Sequence, residues 1–266
     1  MAAADGSGRM IGIAPNADLL PGSFDSQTGM ADSINLARSI GAVAINNSWG
    51  YTNLDATQRG YDSAFGGNGG ATYLQALRSY AAEGVVVFAL RNDENLTRAG
   101  IMDGLPVLEP ELESGWLAVG NAVPKYDDTS IQSAERISSA CLESARWCLF
   151  ADGAWESTTA GGGYEFSTGA SFAAPQVSGA LALLAEAFSG MGLTPHQLRD
   201  RLLASADNSF LDSFDGILDF GNGVTHGFNE EFGHGFLDIL QLSYRLEGRR
   251  FQPRAAPAFR WASRQL

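Results

Sequence analysis

Ser167-Thr168-Gly169-Ala170-Ser171-Phe172-Ala173-Ala174-Pro175 is the stretch on which the reading of this chain turns. A serine follows a glycine turn. It stands just before the run Val177-Ser178-Gly179-Ala180-Leu181-Ala182-Leu183-Leu184-Ala185, apolar nearly all round, as expected of a helix buried at the centre of a domain. Such a turn leaves the Ser171 hydroxyl exposed. The helix N-terminus then offers free N–H groups and a positive dipole end to a developing oxyanion, and Pro175 suits a first helical turn, where its missing N–H costs nothing. The arrangement predicts a serine poised for acyl transfer.

Outward from this stretch, helical and strand periods alternate as in a layered α/β protein. Met30, Ile34, Ala37 and Ile40 repeat at helical spacing before Gly41, and Ala42 to Ile45 then read as a buried parallel strand. Ala71, Leu74, Leu77 and Ala81 make a second helical face that Gly84 stops. Val85 to Leu90 follow as a second buried strand, and Leu117 to Val119 as a shorter third. Thr194-Pro195-His196-Gln197 reads as a capping box with proline at the first helical position, which makes His196 a surface residue. The glycine-rich stretches Gly66 to Gly70 and Gly161 to Gly163 read as loops. The first lacks the lysine or helix start, in P-loop order, that phosphate binding requires.

Composition bounds the function classes. A chain of 266 residues, 45% hydrophobic and 18% charged, suits one domain with a sizeable core. A net charge of -13 argues against a nucleic-acid partner, whose phosphates call for a basic surface. No apolar run approaches the ~20 residues of a membrane span, and no leader-like segment opens the sequence. Asp212, Asp215, Asp219, Glu230 and Glu231 lack the spacing of a calcium loop and read as a solvated acidic loop, so no cofactor is indicated and structural calcium is left open.

Gly169-Ala170-Ser171-Phe172-Ala173-Ala174-Pro175-Gln176-Val177-Ser178-Gly179 resembles the nucleophile motif of the subtilisin-like serine proteases, G-T-S-[MF]-A-[AS]-P-H-V-[AS]-G. It departs at Ala170 and Gln176, neither of which supplies the chemistry. Four further blocks match the same family in the same order. Ile13 to Leu20 resembles the G-V-A-P-x-A-x-L segment, and Ala44 to Gly50 the strand whose S-x-G end pairs with substrate backbone. Gly84 to Asp93 resembles the strand ending in A-x-G-N, and Phe232 to Asp238 the closing G-x-G-x-[LV]-[DN] segment. Similarity in Gly104 to Pro106, in Gly115 to Val119 and in the cysteine pair points toward the autotransporter-type, secreted bacterial branch. The resemblance runs from about Gly12 to Asp238.

The resemblance implies a three-layer α/β fold with a mostly parallel central sheet, here without its N-terminal strand and histidine helix. It implies a peptidase domain over residues 1–240, followed by an Arg- and Pro-containing extension or linker over 241–266. Its activity would be hydrolysis of a polypeptide through an acyl-enzyme on Ser171. The Ser171 backbone N–H and the Asn92 amide would form the oxyanion hole. Ser48, Trp49 and Gly50 would bind substrate as an added strand, with Ala89, Leu90, Arg91 and Gly169 lining the site. Arg91 stands where the family has glycine, and is expected either to fill the pocket, favouring small or acidic side chains, or to turn out to solvent.

The family's other two catalytic residues lie in a D-[ST]-G strand motif and an H-G-T-H helix motif, which belong upstream of Gly12. Asp5-Gly6-Ser7-Gly8 has a superficial likeness to the first but falls where the family has a surface loop. His196, His226 and His234 all follow Ser171, whereas the family's histidine precedes the serine. Without a base the hydroxyl stays a poor nucleophile, so the chain alone is expected to be nearly inert. Two readings follow: a protease whose aspartate and histidine lie elsewhere, or a pseudoenzyme that keeps the groove as a peptide-binding module. An α/β-hydrolase is disfavoured, because Ala173 stands where G-x-S-x-G needs glycine.

Cys141 and Cys148 are too loosely spaced for a redox C-x-x-C motif and too few for zinc. They read as a local disulfide, which would stabilise by roughly 2–3 kcal/mol, or else as two unpaired thiols. The resemblance favours the disulfide and a secreted, periplasmic or cell-surface location. Arg249, Arg250, Arg254, Arg260 and Arg264 give the tail a basic character, either as a linker toward a further domain such as an outer-membrane barrel or as an arm on the acidic domain.

Overall fold

The computed structural model describes residues 11–127, 130–159 and 161–239. The Asp5–Gly8 segment and the 241–266 extension, with the domain boundary between 240 and 241, lie outside the described residues.

The first helix, α1 (Gln27–Ser39), starts at Ser26, whose Oγ accepts the Gly29 N–H at 3.0 Å. Strand β1 (Ala44–Asn47) follows, then α2 (Gln58–Phe65), α3 (Asn68–Ala81) and β2 (Val85–Ala89). The stretch Gly66 to Gly70 is thus not one loop. Gly66 ends α2, Gly67 caps α3, and Gly69 and Gly70 lie inside α3. Packing overrides propensity here, since a Cβ on Gly70 would come within 2.6 Å of the Phe65 backbone.

Strands β1, β2 and β3 (Trp116–Tyr126) pair in parallel, Ala44 opposite Val85 and Val86 opposite Trp116. The other edge of β3 pairs in parallel with β5 (Cys148–Ala151), and its C-terminal half antiparallel with β4 (Ile131–Arg136). The expected third strand is therefore longer than Leu117 to Val119, because it serves three neighbours. β2 is buried throughout and reads in sequence as an unbroken apolar run. β1, at the edge of the sheet among the described residues, is only half buried, contrary to the buried strand expected there.

Beyond β5 come the hairpin β6 (Ala154–Thr158) and β7 (Tyr164–Thr168), turning at Gly161 and Gly162, and then α4 (Ala170–Ala187). α4 crosses β1, β2, β3 and β5, and buries Val177, Ala180, Leu181 and Leu184 against them. Beside it lies α5 (Pro195–Ala204), whose capping box has the Thr194 Oγ1 and the Gln197 Oε1 each accepting the other's backbone N–H. His196 is half buried rather than a surface residue, with Nε2 at 2.7 Å from the Ala81 carbonyl at the end of α3. A second hairpin, β8 (Gly216–Asp219) with β9 (Thr225–Phe228), completes the elements. The sheet with α3 against it and α1 packed on α3, together with the α4–α5 pair, makes the expected three-layer α/β fold.

Cys141 and Cys148 form a disulfide with a Cα–Cα distance of 5.9 Å, both residues fully buried at the start of β5. No helix among the described residues is long and apolar enough to cross a membrane.

Candidate active site

The site gathers where the parallel strands end. Ser48 follows β1, Asn92 follows β2 and Gly153 follows β5, while Asn121 lies within β3 at the end of its parallel pairing with β5, so the parallel strands deliver these residues to the start of α4. This is the general position of ligand crevices in open α/β sheets.

Gly169 is the N-cap of α4, with φ 153° and ψ 159°, a conformation open essentially to glycine alone. The turn it makes is held from two sides. Its N–H donates to the Gly153 carbonyl at 3.3 Å, and the next N–H, of Ala170, donates to the Asn92 Oδ1 at 2.9 Å. Asn92 is exposed, and with its oxygen committed to Ala170 its Nδ2 donors remain for another acceptor. A Cβ on Gly169 would lie 3.2 Å from that Nδ2. The Ser171 N–H belongs to the first turn of α4, where backbone donors have no intrahelical partner.

Pro175 is not in the first turn but is the sixth residue of α4. At that position the ring removes the N–H that would bond the Ser171 carbonyl. Ser48 replaces it: its Oγ donates to the Ser171 carbonyl at 2.9 Å, while the Ser171 Oγ donates to the Ser48 carbonyl at 3.2 Å. Gln176, where the family motif has histidine, fastens α4 to the β5–β6 connection by donating to the carbonyls of Asp152 and, at 3.2 Å, of Phe172.

The sequence reading did not single out Asn121, which is fully buried beneath the nucleophile turn. Its Oδ1 accepts the Gly153 N–H at 2.8 Å and its Nδ2 donates to the Thr168 Oγ1 at 3.1 Å, tying β3 to both strands of the turn. The signal available was a polar residue following the apolar Trp116–Val119 run in a strand of the core. Nearby, burial raises the pKa of the half-buried Asp152 carboxyl, against the opposing effect of the Ala154 N–H it accepts.

The remaining expected site residues divide by side chain and backbone. Trp49 turns its ring into an aromatic cluster with Phe24, Tyr51, Tyr73 and Phe88, at centroid distances of 5.2 to 6.0 Å. Ala89 and Leu90 are buried, and the Leu90 N–H donates to the Val119 carbonyl. Arg91 does not turn out to solvent, its side chain being 11% exposed. Its guanidinium donates to the carbonyls of Thr52 at 3.4 Å and Arg98 at 2.7 Å, and pairs with Asp55 at 3.0 Å.

None of the three histidines is bonded to Ser171. The His226 Nε2 lies 3.0 Å from the Ala206 carbonyl, the His234 Nε2 lies 3.1 Å from the Arg146 carbonyl, and the two rings stack with their Nδ1 atoms 3.1 Å apart. Among the described residues no group of histidine, cysteine and acidic side chains is placed to hold a metal ion.

A nucleophile turn built by a glycine-only cap at the head of a buried helix, on the carboxyl edge of a parallel sheet, defines a subtilisin-like α/β protein. The family model for the subtilases, peptidase family S8, matches residues 1–235, and the chain belongs to that family. It is 28% identical, over a 221-position alignment, to serotype-specific antigen 1 of Mannheimia haemolytica. That alignment covers 76% of this chain and 23% of the antigen, so the chain spans under a quarter of that relative's length. Among solved structures, the fold is similar to the prenylagaramide maturation protease PagA, at TM-score 0.63 and 23% identity, covering 90% of this chain and 78% of PagA. It is similar also to the PatG macrocyclase in complex with peptide, at TM-score 0.63 and 21% identity over 91% of this chain and 64% of PatG. Fervidolysin from Fervidobacterium pennivorans, a keratinolytic enzyme related to subtilisin, matches at TM-score 0.57 and 19% identity, over 88% of this chain and 33% of its own.

Proposed function

We propose that this chain is the nucleophile-bearing part of a secreted serine endopeptidase. Ser171 attacks the peptide carbonyl, and the Ser171 N–H and the Asn92 Nδ2 receive the charge that develops on its oxygen. The observation that carries this reading is the Ala170 N–H bond to the Asn92 Oδ1 at 2.9 Å, which orients the exposed amide at the nucleophile turn. In subtilisin, a relative from which the magnitude is borrowed, losing one such donor costs about 10²–10³ in kcat. The substrate backbone lies along Ser48 to Gly50, a segment outside the β1 ladder.

The Ser171 hydroxyl donates to a carbonyl, which accepts a hydrogen bond but cannot serve as the base. The base is supplied by an aspartate–histidine pair of the family type that this sequence does not match. The disulfide and the likeness to a serotype-specific antigen support a location outside the reducing cytosol.

Labelling by a fluorophosphonate tests the reading. The chain alone is expected to label very slowly, and a fusion carrying a subtilase segment with D-[ST]-G and H-G-T-H to label fast, with both signals lost in Ser171→Ala. Rapid labelling of the chain alone would show that another residue acts as base. A folded fusion that stays unlabelled would favour the alternative, a subtilase-fold module that binds peptide without cleaving it.

A further inference from the structure

We infer that Arg91 and Asp55 together close the space beside Ser171 that receives the substrate's acyl-side side chain, restricting it to small, uncharged side chains. This rests on the acyl-transfer reading above and deepens it.

The geometry is a bridge between two segments. Ser48 to Thr52 leaves β1 and Leu90 to Asn92 leaves β2, its parallel neighbour, and each touches the nucleophile turn, through the Ser48–Ser171 bonds and the Asn92–Ala170 bond. A peptide with its carbonyl carbon at the Ser171 Oγ and its oxygen toward the Asn92 Nδ2 directs the side chain of that residue between them. Arg91 spans this interval, leaving one segment and reaching the Thr52 carbonyl of the other. Its side chain is 11% exposed, so it occupies volume rather than waving in solvent. Gly100 backs it closely, a Cβ there falling 3.2 Å from the Arg91 Nε.

Charge decides what the shortened space accepts. The guanidinium is already paired with Asp55 and bonded to the Arg98 and Thr52 carbonyls. A second acid, Asp103, is buried behind it, where burial raises its pKa to about 7 and the Arg91 charge opposes the rise. A substrate carboxylate entering here meets a cation whose terminal nitrogens are already taken up by Asp55 and two carbonyls, with a second carboxyl, Asp103, behind it. Of the two preferences expected from sequence, small or acidic, only the first survives. Releasing Asp55 would restore the second, because the fork would then regain a free face for a bidentate partner.

Peptide aldehydes test this without a base. The Ser171 Oγ bonds the aldehyde carbon, the carbon–oxygen π bond opens, and the serine proton passes to the former aldehyde oxygen, giving a hemiacetal. N-acetylated tetrapeptide aldehydes ending in Ala, Glu or Phe are titrated by calorimetry into the full chain, Arg91→Gly, Asp55→Asn and Ser171→Ala. The wild-type chain is expected to bind the Ala aldehyde tenfold or more tightly than the other two, within the ~10–200-fold range of pocket discrimination. Arg91→Gly should bring the Phe aldehyde to at least parity with Ala, and Asp55→Asn should improve Glu about tenfold. An unchanged ranking in either folded variant overturns the inference, and Asp55→Asn keeps it exposed should Arg91→Gly fail to fold. Failure of every aldehyde to bind the folded wild-type chain, or binding that survives Ser171→Ala undiminished, would overturn the acyl-transfer reading instead.

Discussion

Ser48 and Ser171 are bonded to each other twice, each hydroxyl donating to the other residue's carbonyl, at 2.9 Å from Ser48 and 3.2 Å from Ser171. The pair exists because Pro175 has no N–H to give the Ser171 carbonyl, so the end of β1 supplies the donor that the helix lacks. It also parks the nucleophile's proton on a carbonyl, a resting arrangement that a base must displace.

The two substitutions should therefore couple. Ser48→Ala is expected to destabilise by about 1 kcal/mol, the usual worth of one such hydrogen bond. In a Pro175→Ala background, where an amide N–H again reaches the Ser171 carbonyl, the same change should cost close to nothing. A double-mutant cycle on urea unfolding measures this, and strictly additive effects would show that the carbonyl does not depend on Ser48.

Gly169→Ala should lower stability by about 1–3 kcal/mol, since a φ of 153° with ψ 159° is open to glycine alone. The added methyl also presses on the Asn92 amide, so the Asn92–Ala170 bond should weaken with it. Thermal unfolding and the exchange rate of the Ala170 amide check the two effects separately. An unchanged melting temperature would mean the cap relaxes without strain.

Asn121→Leu keeps the branched shape but leaves the buried Gly153 N–H without its acceptor, a loss of about 1–3 kcal/mol. Asn121→Asp keeps the acceptor and should recover part of the loss at pH above neutrality less well than below it, because the buried site disfavours the charge. Urea unfolding of both variants at two pH values distinguishes this from a simple packing defect.

Much of this architecture is written in local patterns. The run Val85 to Leu90 is apolar without interruption and is a central strand, and the Thr194–Gln197 box announces the start of α5 by short-range hydrogen bonding alone. The nucleophile turn was legible because Gly169, Ser171 and the apolar helix are adjacent in sequence. What was hidden depends on residues far apart. Pro175 reads as a first-turn proline until Ser48, 123 residues upstream of Ser171, is seen to satisfy the carbonyl it strands. Gly70 reads as loop until the Phe65 backbone fills the space that a side chain would need. Arg91 offered two orientations in sequence. The inward one is held by Asp55, Thr52 and Arg98, none of which carries a signal on its own.

The buried pair His226 and His234 should make stability fall with acid. Carbonyl oxygens only accept, so the Nε2 of each ring carries a proton toward Ala206 and Arg146, and the two Nδ1 atoms face each other at 3.1 Å. Asn208 Nδ2 lies 3.4 Å from the His226 Nδ1 and also donates to the Gly227 carbonyl at 3.0 Å. A further proton would place a charge among Phe220 and Phe228, with Arg146 and Arg199 opposing it. Burial above all, and then the neighbouring His226, pulls the His234 pKa from 6.5 down to about 3. With the folded value below the unfolded one, the unfolded chain binds the extra proton first. The stabilisation is complete above pH 6.5 and is lost as pH falls toward 3, at about 1.4 kcal/mol per pH unit. Relative to His234→Gln, which has nothing to titrate, the wild-type chain should lose about 2–3 kcal/mol between pH 7 and pH 4.5 in urea unfolding. A difference that stays constant over that range would mean the pair already holds a shared proton in the folded state.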